Sequence, residues 1–381
     1  MKPRSLMEFF SIIPDTRIDR NKKHRLLDII VIAVLGTLAG CEGWVEIEDY
    51  GRNKIEWLKQ FLDLSNGIPS HDTFGRVFSI LSPELFQEAF WSWMNSLSEI
   101  SGLSKIISID GKYLRGSLQE SRRPRSAIAI VSAWATEAGL CIGQTKSEAK
   151  KELGEKRATE DLIDKLFLEG CIVTLDANGA TPRITEKIVT KKGDYMIGLK
   201  SNQKSLLRYA GKAFEGAEET GCFKTETKNH GRIEVREYYQ LDINNISFGP
   251  SLEVGWKNLV KKWPHLNSFV MVKSQRQNGE IKSEETRYYI SSAAGNVEEA
   301  ARVVRSHWGI ENSLHWVLDV VFKEDHSQVR MGHAAENLAL LRRMTLNMLK
   351  KAKTPKTSFR RMRLKCGWDD QYLKEVLGAQ L

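Results

Sequence analysis

V-E-E-A-A-R-V-V-R-S-H-W-G-I-E-N-S-L-H-W-V-L-D-V-V-F-K-E-D, residues 297–325, sets apolar and polar residues side by side at helical spacing. Ile310, Leu314, Val317 and Val321 recur at four, three and four residues, which is one apolar face of an α-helix predicted to run from Val297 to Asp325. His307, Glu311, His315 and Asp319 follow at steps of four, a polar row that drifts slowly around the same cylinder. Such a row is either a solvated helix face or one side of a site completed by carboxylates elsewhere in the chain.

Two acids elsewhere meet that condition. Ile106-Ile107-Ser108-Ile109-Asp110-Gly111-Lys112 reads as an apolar strand ending in an acid at a glycine turn. Cys171-Ile172-Val173-Thr174-Leu175-Asp176-Ala177-Asn178-Gly179 repeats the pattern. Around them the chain spells strands at 127–134 and 140–145, a helix at 158–168, a helix at 185–191 and a strand at 194–199. Three strands in a meander, then helix, strand, helix and strand, make an α/β fold with a mixed sheet. Asp110 and Asp176 then stand at neighbouring strand ends, where open α/β sheets hold ligands.

Residues 1–100 read as helical, with helices expected over 26–39, 44–62 and 83–97. Between the last two, Gly67-Ile68-Pro69 marks a turn, Ser70 or Asp72 can cap a helix, and Phe74, Val77, Phe78 and Leu81 form an apolar stripe. The unit resembles the second half of a helix-turn-helix, with His71, Thr73 and Arg76 at the end where such helices touch DNA. Residues 205–290 are strand-like and polar, with Arg232, Glu234 and Arg236 alternating onto one strand face, and read as an inserted β-rich subdomain. From Arg342 to Lys365 the chain holds ten Lys or Arg and no acid, either a solvated surface or a phosphate-contacting one.

The 381 residues carry a formal net charge of +9, so a polyanion is the first partner to consider. Five scattered cysteines without a C-x-x-C pair suggest neither a disulfide framework nor a zinc site and fit a reducing cytoplasm. The start of the chain lacks signal-peptide features, and the apolar run from Ile29 to Gly40 falls short of the roughly 20 residues that span a bilayer. A buried core helix and no membrane partner are expected.

Three carboxylates around one point offer the hard oxygen coordination that magnesium or manganese takes, and two such ions suit phosphodiester chemistry. Asp110 in I-S-I-D-G-K, Asp176 in T-L-D-A-N-G and Glu311 in H-W-G-I-E-N-S-L-H-W resemble the acidic triad of the DDE transposases, most of all the H-repeat-associated, ISAs-type insertion-sequence group. The likeness runs nearly the whole chain, from S-I-I-P-D at 11–15 and G-W-x-x-I-E-D at 43–49 through H-G-R-x-E-x-R to the end. It implies a ribonuclease-H-like mixed-sheet core in two parts, 101–204 and 291–381, split by the 205–290 insertion and preceded by the helical region 1–100. It also implies Asp110, Asp176 and Glu311 as catalytic and metal-binding residues, a pair of Mg2+ or Mn2+ ions, double-stranded DNA as partner, cleavage at element ends with strand transfer, and a homodimer on DNA.

Related transposases carry a tyrosine, an arginine and a lysine around the glutamate; this chain has Val304, His307 and Leu318 there. Candidate DNA contacts are His71, Thr73, Arg76, Lys112, Lys200, Asn202, Arg232, Arg236 and His307. Glu324 and Asp325 are alternative third acids, and Trp308 and Trp316 are read as packing residues. A nuclease of the same fold without strand transfer, and a DNA-binding protein without catalysis, are the competing functions.

Overall fold

The apolar strand segments within 106–199 pair edge to edge as a sheet whose two faces are covered by helices. The computed structural model describes residues 6–97, 105–117, 128–147, 152–215, 222–229, 232–263, 265–279, 281–293, 295–355 and 357–378. Strands β1 (Ile106–Leu114), β2 (Ile128–Ala135) and β3 (Leu140–Ser147) form the expected antiparallel meander. Helix α7 (Glu152–Lys165) leads to β4 (Ile172–Leu175), and α8 (Pro182–Thr190) leads to β5 (Asp194–Leu199); β4 lies parallel to both β1 and β5. The order 3-2-1-4-5 is the α/β core, and the fold is ribonuclease-H-like.

The 205–290 segment extends this sheet. After α9 (Lys204–Phe214), β6 (Phe223–Asn229), β7 (Arg232–Asp242), α10 (Pro250–Val260), β8 (Ser268–Asn278) and β9 (Ile281–Ser291) follow, and β9 pairs antiparallel with β5. One nine-stranded sheet results, in the order 3-2-1-4-5-9-8-7-6. Helices α7 to α10 cover one face through Leu162, Ile184, Tyr209 and Trp256, and α11 (Val297–Ile310) covers the other through Val303 and Val304.

The N-terminal helices are α1 (Leu6–Phe10), α2 (Leu26–Leu38), α3 (Trp44–Asn53), α4 (Ile55–Leu58), α5 (His71–Ile80) and α6 (Pro83–Leu97). The anticipated 44–62 helix is therefore broken at Lys54, whose backbone leaves the helical region as Trp57 and Leu58 turn inward. Helix α2 is the buried apolar helix anticipated, with Ile29 to Leu35 fully covered. Among the described residues no helix is long and apolar enough to cross a membrane. These helices share one core with α12 (Trp316–Val320), α13 (Ala334–Lys351), α14 (Phe359–Trp368) and α15 (Asp370–Val376).

Much of the basic 342–365 stretch holds that core together. Arg363 is buried and donates to the carbonyls of Thr37 in the last turn of α2 and of Cys41 beyond it, and to that of Val321 past the end of α12. The carbonyl ends of two helices, rich in unpaired acceptors, are thus joined through one guanidinium. Arg342 donates to the Glu42 carbonyl, and Arg343 lies under the sheet. The surface reading of the stretch holds only for part of it, Lys351, Lys353, Arg360, Arg361 and Lys365 being exposed.

The predicted 297–325 helix is interrupted twice. Residues Glu311–His315 form a π-helical turn, and after Val320 the chain leaves the helix, with Lys323 in the left-handed region at φ 51°. A short 3-10 turn, Glu324–His326, follows, and there Glu324 is fully buried. Its carboxylate meets Arg343 at 2.8 Å, and Arg343 also donates to the Ser132 hydroxyl of β2. Burial works against the charge of Glu324, but Arg343 and Lys112 more than offset it and hold the carboxyl below its ordinary range.

Removing one member of a buried pair leaves the other charged and uncompensated. Arg343→Met is expected to cost roughly 3–5 kcal/mol in chemical denaturation, whereas Glu324→Leu with Arg343→Met costs much less; a double variant as unstable as the single one contradicts this.

Candidate active site

Strand register fixes the first two acids. Ile109 pairs with Leu175, so the next residues, Asp110 on β1 and Asp176 just past the end of β4, stand side by side. Asp110 is not at a strand end as the glycine suggested. β1 continues to Leu114 against β2, and it is β4 that stops, leaving β1 unpaired on that side from Asp110 onward. Gly111 is a strand residue, and a Cβ there would lie 2.6 Å from the Glu155 carboxylate oxygen. That close approach brings a fourth acid, Glu155 of α7, to a small pocket shared with Asp110, Asp176 and Asn178.

Asp176 begins a tight turn, its Oδ1 accepting from the backbone N–H groups of Asn178 at 2.9 Å and Gly179 at 3.4 Å. Burial raises the pKa of Asp110 to about 7, with the charges of Asp176, Glu155 and Glu311 adding to the effect. Glu311 is exposed, at the first position of the π turn. A turn of this kind takes one more residue than an α-turn, which offsets the drift of a row spaced at four.

In the rest of that row His315 is buried and His307 and Asp319 are half-buried. The imidazole Nδ1 of His315 lies 3.5 Å from Asp110 Oδ2, but burial, aided by the charge of Arg343, lowers its pKa to about 3. The contact joins a carboxyl to a neutral ring and is not an ion pair. His307, expected on DNA, has its Nδ1 3.0 Å from the Thr174 hydroxyl, which in turn donates to Ser108; burial lowers its pKa to about 4. Asp319 binds Lys112 at 2.7 Å.

Lys112, also expected on DNA, is only 8% exposed. Its ammonium lies 2.6 Å from Asp325 and 3.5 Å from Glu324 as well, and although burial opposes its charge these acids raise its pKa. Glu324 and Asp325, the alternative third acids of the sequence reading, are thereby paired with cations. Among the described residues no three His, Cys, Asp or Glu side chains converge closely enough to hold a metal ion as they stand. The donor set nevertheless fits a hard cation, because Asp110 and Asp176 form no ion pair with Lys or Arg among the described residues and Asp110 is destabilised by its neighbours.

Other candidates fall into three places. Asn202 donates to the Ala177 carbonyl at 2.7 Å, inside the Asp176 turn, whereas Lys200 is exposed and close enough for its charge to act on His307. Arg232 and Arg236 share a strand face as expected, yet they gather with Arg276 on the buried Glu234, at 3.9, 2.8 and 2.7 Å. In α5, Ser70 caps the helix by accepting from the Thr73 N–H, and Thr73 Oγ1 lies 3.1 Å from the Ser70 hydroxyl. His71 binds Glu48 through both its backbone N–H and its ring at 2.7 Å. His71 and Arg76 line a groove of about 810 Å³ whose opposite wall is Lys323, His326, Arg330 and Met331.

The basic run Arg122–Arg125 lies outside the described residues. Trp308 and Trp316 are not packing residues, being 40% and 58% exposed on the outward side of their helices, with the Arg287 guanidinium over the Trp308 ring. Glu155 had no sequence signal, because nothing in the spacing of α7 shows that a glycine of β1 makes room for it.

The whole chain has relatives. The Transposase DDE domain family matches residues 101–348, and the DDE_Tnp_1-associated family matches 7–94. YhhI of Escherichia coli K12, designated an H repeat-associated transposase, is 38% identical over 383 residues, covering 100% of this chain and 99% of its own. YncI of E. coli O157:H7, also designated a transposase, is 38% identical over 389 residues, covering 100% and 96%. Among solved structures, a piggyBac transposase synaptic complex with hairpin DNA aligns over 98% of this chain and 76% of that one, at 8% identity and a TM-score of 0.42. With that family matching more than half of its length and full-length relatives at this identity, the chain belongs to the transposases of the DDE-domain family.

Proposed function

We propose that this protein is a metal-dependent DNA transposase that cleaves at the ends of its element and joins the freed 3′-hydroxyls to target DNA, with Asp110, Asp176 and Glu311 as its catalytic acids. The observation that carries this is the register Ile109–Leu175, which sets Asp110 beside Asp176, together with the charge of Glu311 acting on Asp110 from the π turn. Mg2+ or Mn2+ would be held by those three carboxylates. When bound, a pair of such ions supplies the charge that activates the attacking oxygen and stabilises the leaving one.

The chain's own residues do the arranging. The Asp176 turn aims one carboxylate by tying down its Oδ1. His315, neutral and buried, touches Asp110 without neutralising it. Lys112 keeps its charge away from Asp110 through three other acids. Exposed cations, among them Lys200, Arg76, Arg360 and Arg361, are available to phosphates, and a homodimer would hold two element ends together.

Asp110→Asn, Asp176→Asn and Glu311→Gln are each expected to lower Mg2+-dependent cleavage of element-end DNA more than about 100-fold, beyond what loss of a supporting hydrogen bond does, with DNA affinity retained. Wild-type protein that cleaves without joining pre-cut ends to a target plasmid is a nuclease of this fold, and one that binds without cleaving under any divalent metal overturns the proposal.

Arg360→Gln with Arg361→Gln is expected to flatten the dependence of log affinity on log salt by roughly 0.9 for every phosphate that is no longer neutralised. An unchanged slope removes α14 from the DNA surface.

The raised pKa of Asp110 also predicts a pH effect. A carboxyl held above its unfolded value contributes stability that is complete below its ordinary range and is lost as pH rises through about 7. Metal-free protein should therefore unfold at lower temperature at pH 8 than at pH 6, and Asp110→Asn should reduce that difference. Identical pH dependence in the two proteins contradicts the assignment.

A further inference from the structure

We propose that Asn202 and Gln203 are positioning residues for Asp176, acting as a clamp on the turn that carries it. This rests on the reading of Asp176 as a metal-holding acid.

The turn needs an external support. β4 ends at Leu175, and the following residues lie beyond the sheet, where their backbone carbonyls have no strand partner. β5, the parallel neighbour, ends at Leu199, and the chain then turns through Ser201–Gln203. From this second turn the Asn202 amide donates to the Ala177 carbonyl at 2.7 Å, and the Gln203 amide donates to the Ala180 carbonyl at 2.7 Å. Both ends of the Asp176 turn are therefore fastened to the end of β5.

Inside that turn the packing leaves little freedom. Ala177, Gly179 and Ala180 are buried, and a Cβ on Gly179 would lie 2.9 Å from Leu175 Cδ2. Asp176 Oδ1 is occupied by the N–H groups of Asn178 and Gly179, and Oδ2 has no hydrogen bond among the described residues. Fixing the positions of those two N–H groups fixes the direction in which Oδ2 points. The clamp acts one step back: the Ala177 carbonyl shares a rigid peptide plane with the Asn178 N–H, and the Ala180 carbonyl secures the far end of the turn. Supporting hydrogen bonds of this kind orient metal ligands, and losing one typically weakens metal affinity about 10–100-fold.

A different role is available to Asn202, that of a phosphate contact, and the two separate experimentally. Asn202→Leu and Gln203→Met keep side-chain volume and remove the donors. The full chain is titrated with Mn2+ alone while free Mn2+ is followed by electron paramagnetic resonance, with DNA affinity and thermal unfolding measured on the same samples. Wild-type protein must first bind Mn2+ more tightly than Asp110→Asn and Asp176→Asn; if it does not, the reading of the acid site fails and this inference goes with it. If it does, each clamp variant is expected to bind Mn2+ about 10–100-fold more weakly with DNA affinity unchanged.

Unchanged Mn2+ affinity overturns the clamp while leaving the acid site standing, and a drop in DNA affinity in its place assigns Asn202 to phosphate. Should a variant also unfold earlier, the Asp176→Asn background decides. There the clamp substitutions should weaken Mn2+ binding no further, since a residue acting through Asp176 has nothing left to position. A further loss of similar size in that background refutes the proposal.

Discussion

Lys112 cannot be buried under the sheet without anions, and the segment following the Glu311 turn brings them. Its ammonium lies within 3.5 Å of Asp319, Glu324 and Asp325, and Glu324 is in turn joined to Arg343 of α13. An ion in this environment is far more costly unpaired than paired, so the strand and the helix are held in one register. Asp110 and Lys112 are two residues apart on one face of β1, about 6.6 Å along a strand. His315 and Asp319, which they meet, are four residues apart on the helix, about 6 Å along its axis. The two rises nearly match, and docking Asp319 on Lys112 therefore delivers His315 to Asp110.

The same cluster explains how acids survive next to a lysine without being neutralised by it. A free ammonium at position 112 would face the same side as Asp110 and pull its pKa down. Here the ammonium is enclosed by three other carboxylates, and Asp110 instead feels Asp176, Glu155 and Glu311. Cations are satisfied inside the protein and the acids are left to accept charge from outside. Neutral His315 preserves this separation, since a protonated ring would supply the missing charge from within.

The succession of strands and helices in the core, the apolar α2, the capped α5 and the placing of Asp110 and Asp176 on neighbouring strands were legible, because each follows from periodicity or from a turn residue acting locally. What was missed depends on partners far away in sequence. Gly111 looked like a turn glycine because the carboxylate that needs its missing Cβ belongs to Glu155. Lys112, Arg343 and Arg363 looked like surface cations because charge in a sequence carries no depth; the partners that allow their burial are Asp325, Glu324 and the carbonyls of Thr37 and Cys41. The π turn left no mark either, since a single added residue in a helical turn changes hydrogen bonding without changing composition. Asn202 was legible as polar and exposed, but its use on a backbone carbonyl was not.

The groove beside α5 is tied to the acid site by a continuous set of contacts. Its far wall, residues 323–331, starts three residues after α12, and Arg330 donates to the Gly116 carbonyl just beyond β1. A Cβ on Gly116 would fall 2.3 Å from the Ser327 carbonyl oxygen, so that wall lies directly on the chain leaving β1. Its near wall is anchored from behind, where buried Asn337 of α13 donates to the carbonyls of Phe78 and Leu81 at the end of α5. α13 also carries Arg343, which binds Glu324. A displacement of α5 would therefore act on α13, on Glu324 and on Lys112, and so on the strand that bears Asp110. The groove beside α5 and the strand that bears Asp110 are parts of one packed body, and neither can shift without disturbing buried charge.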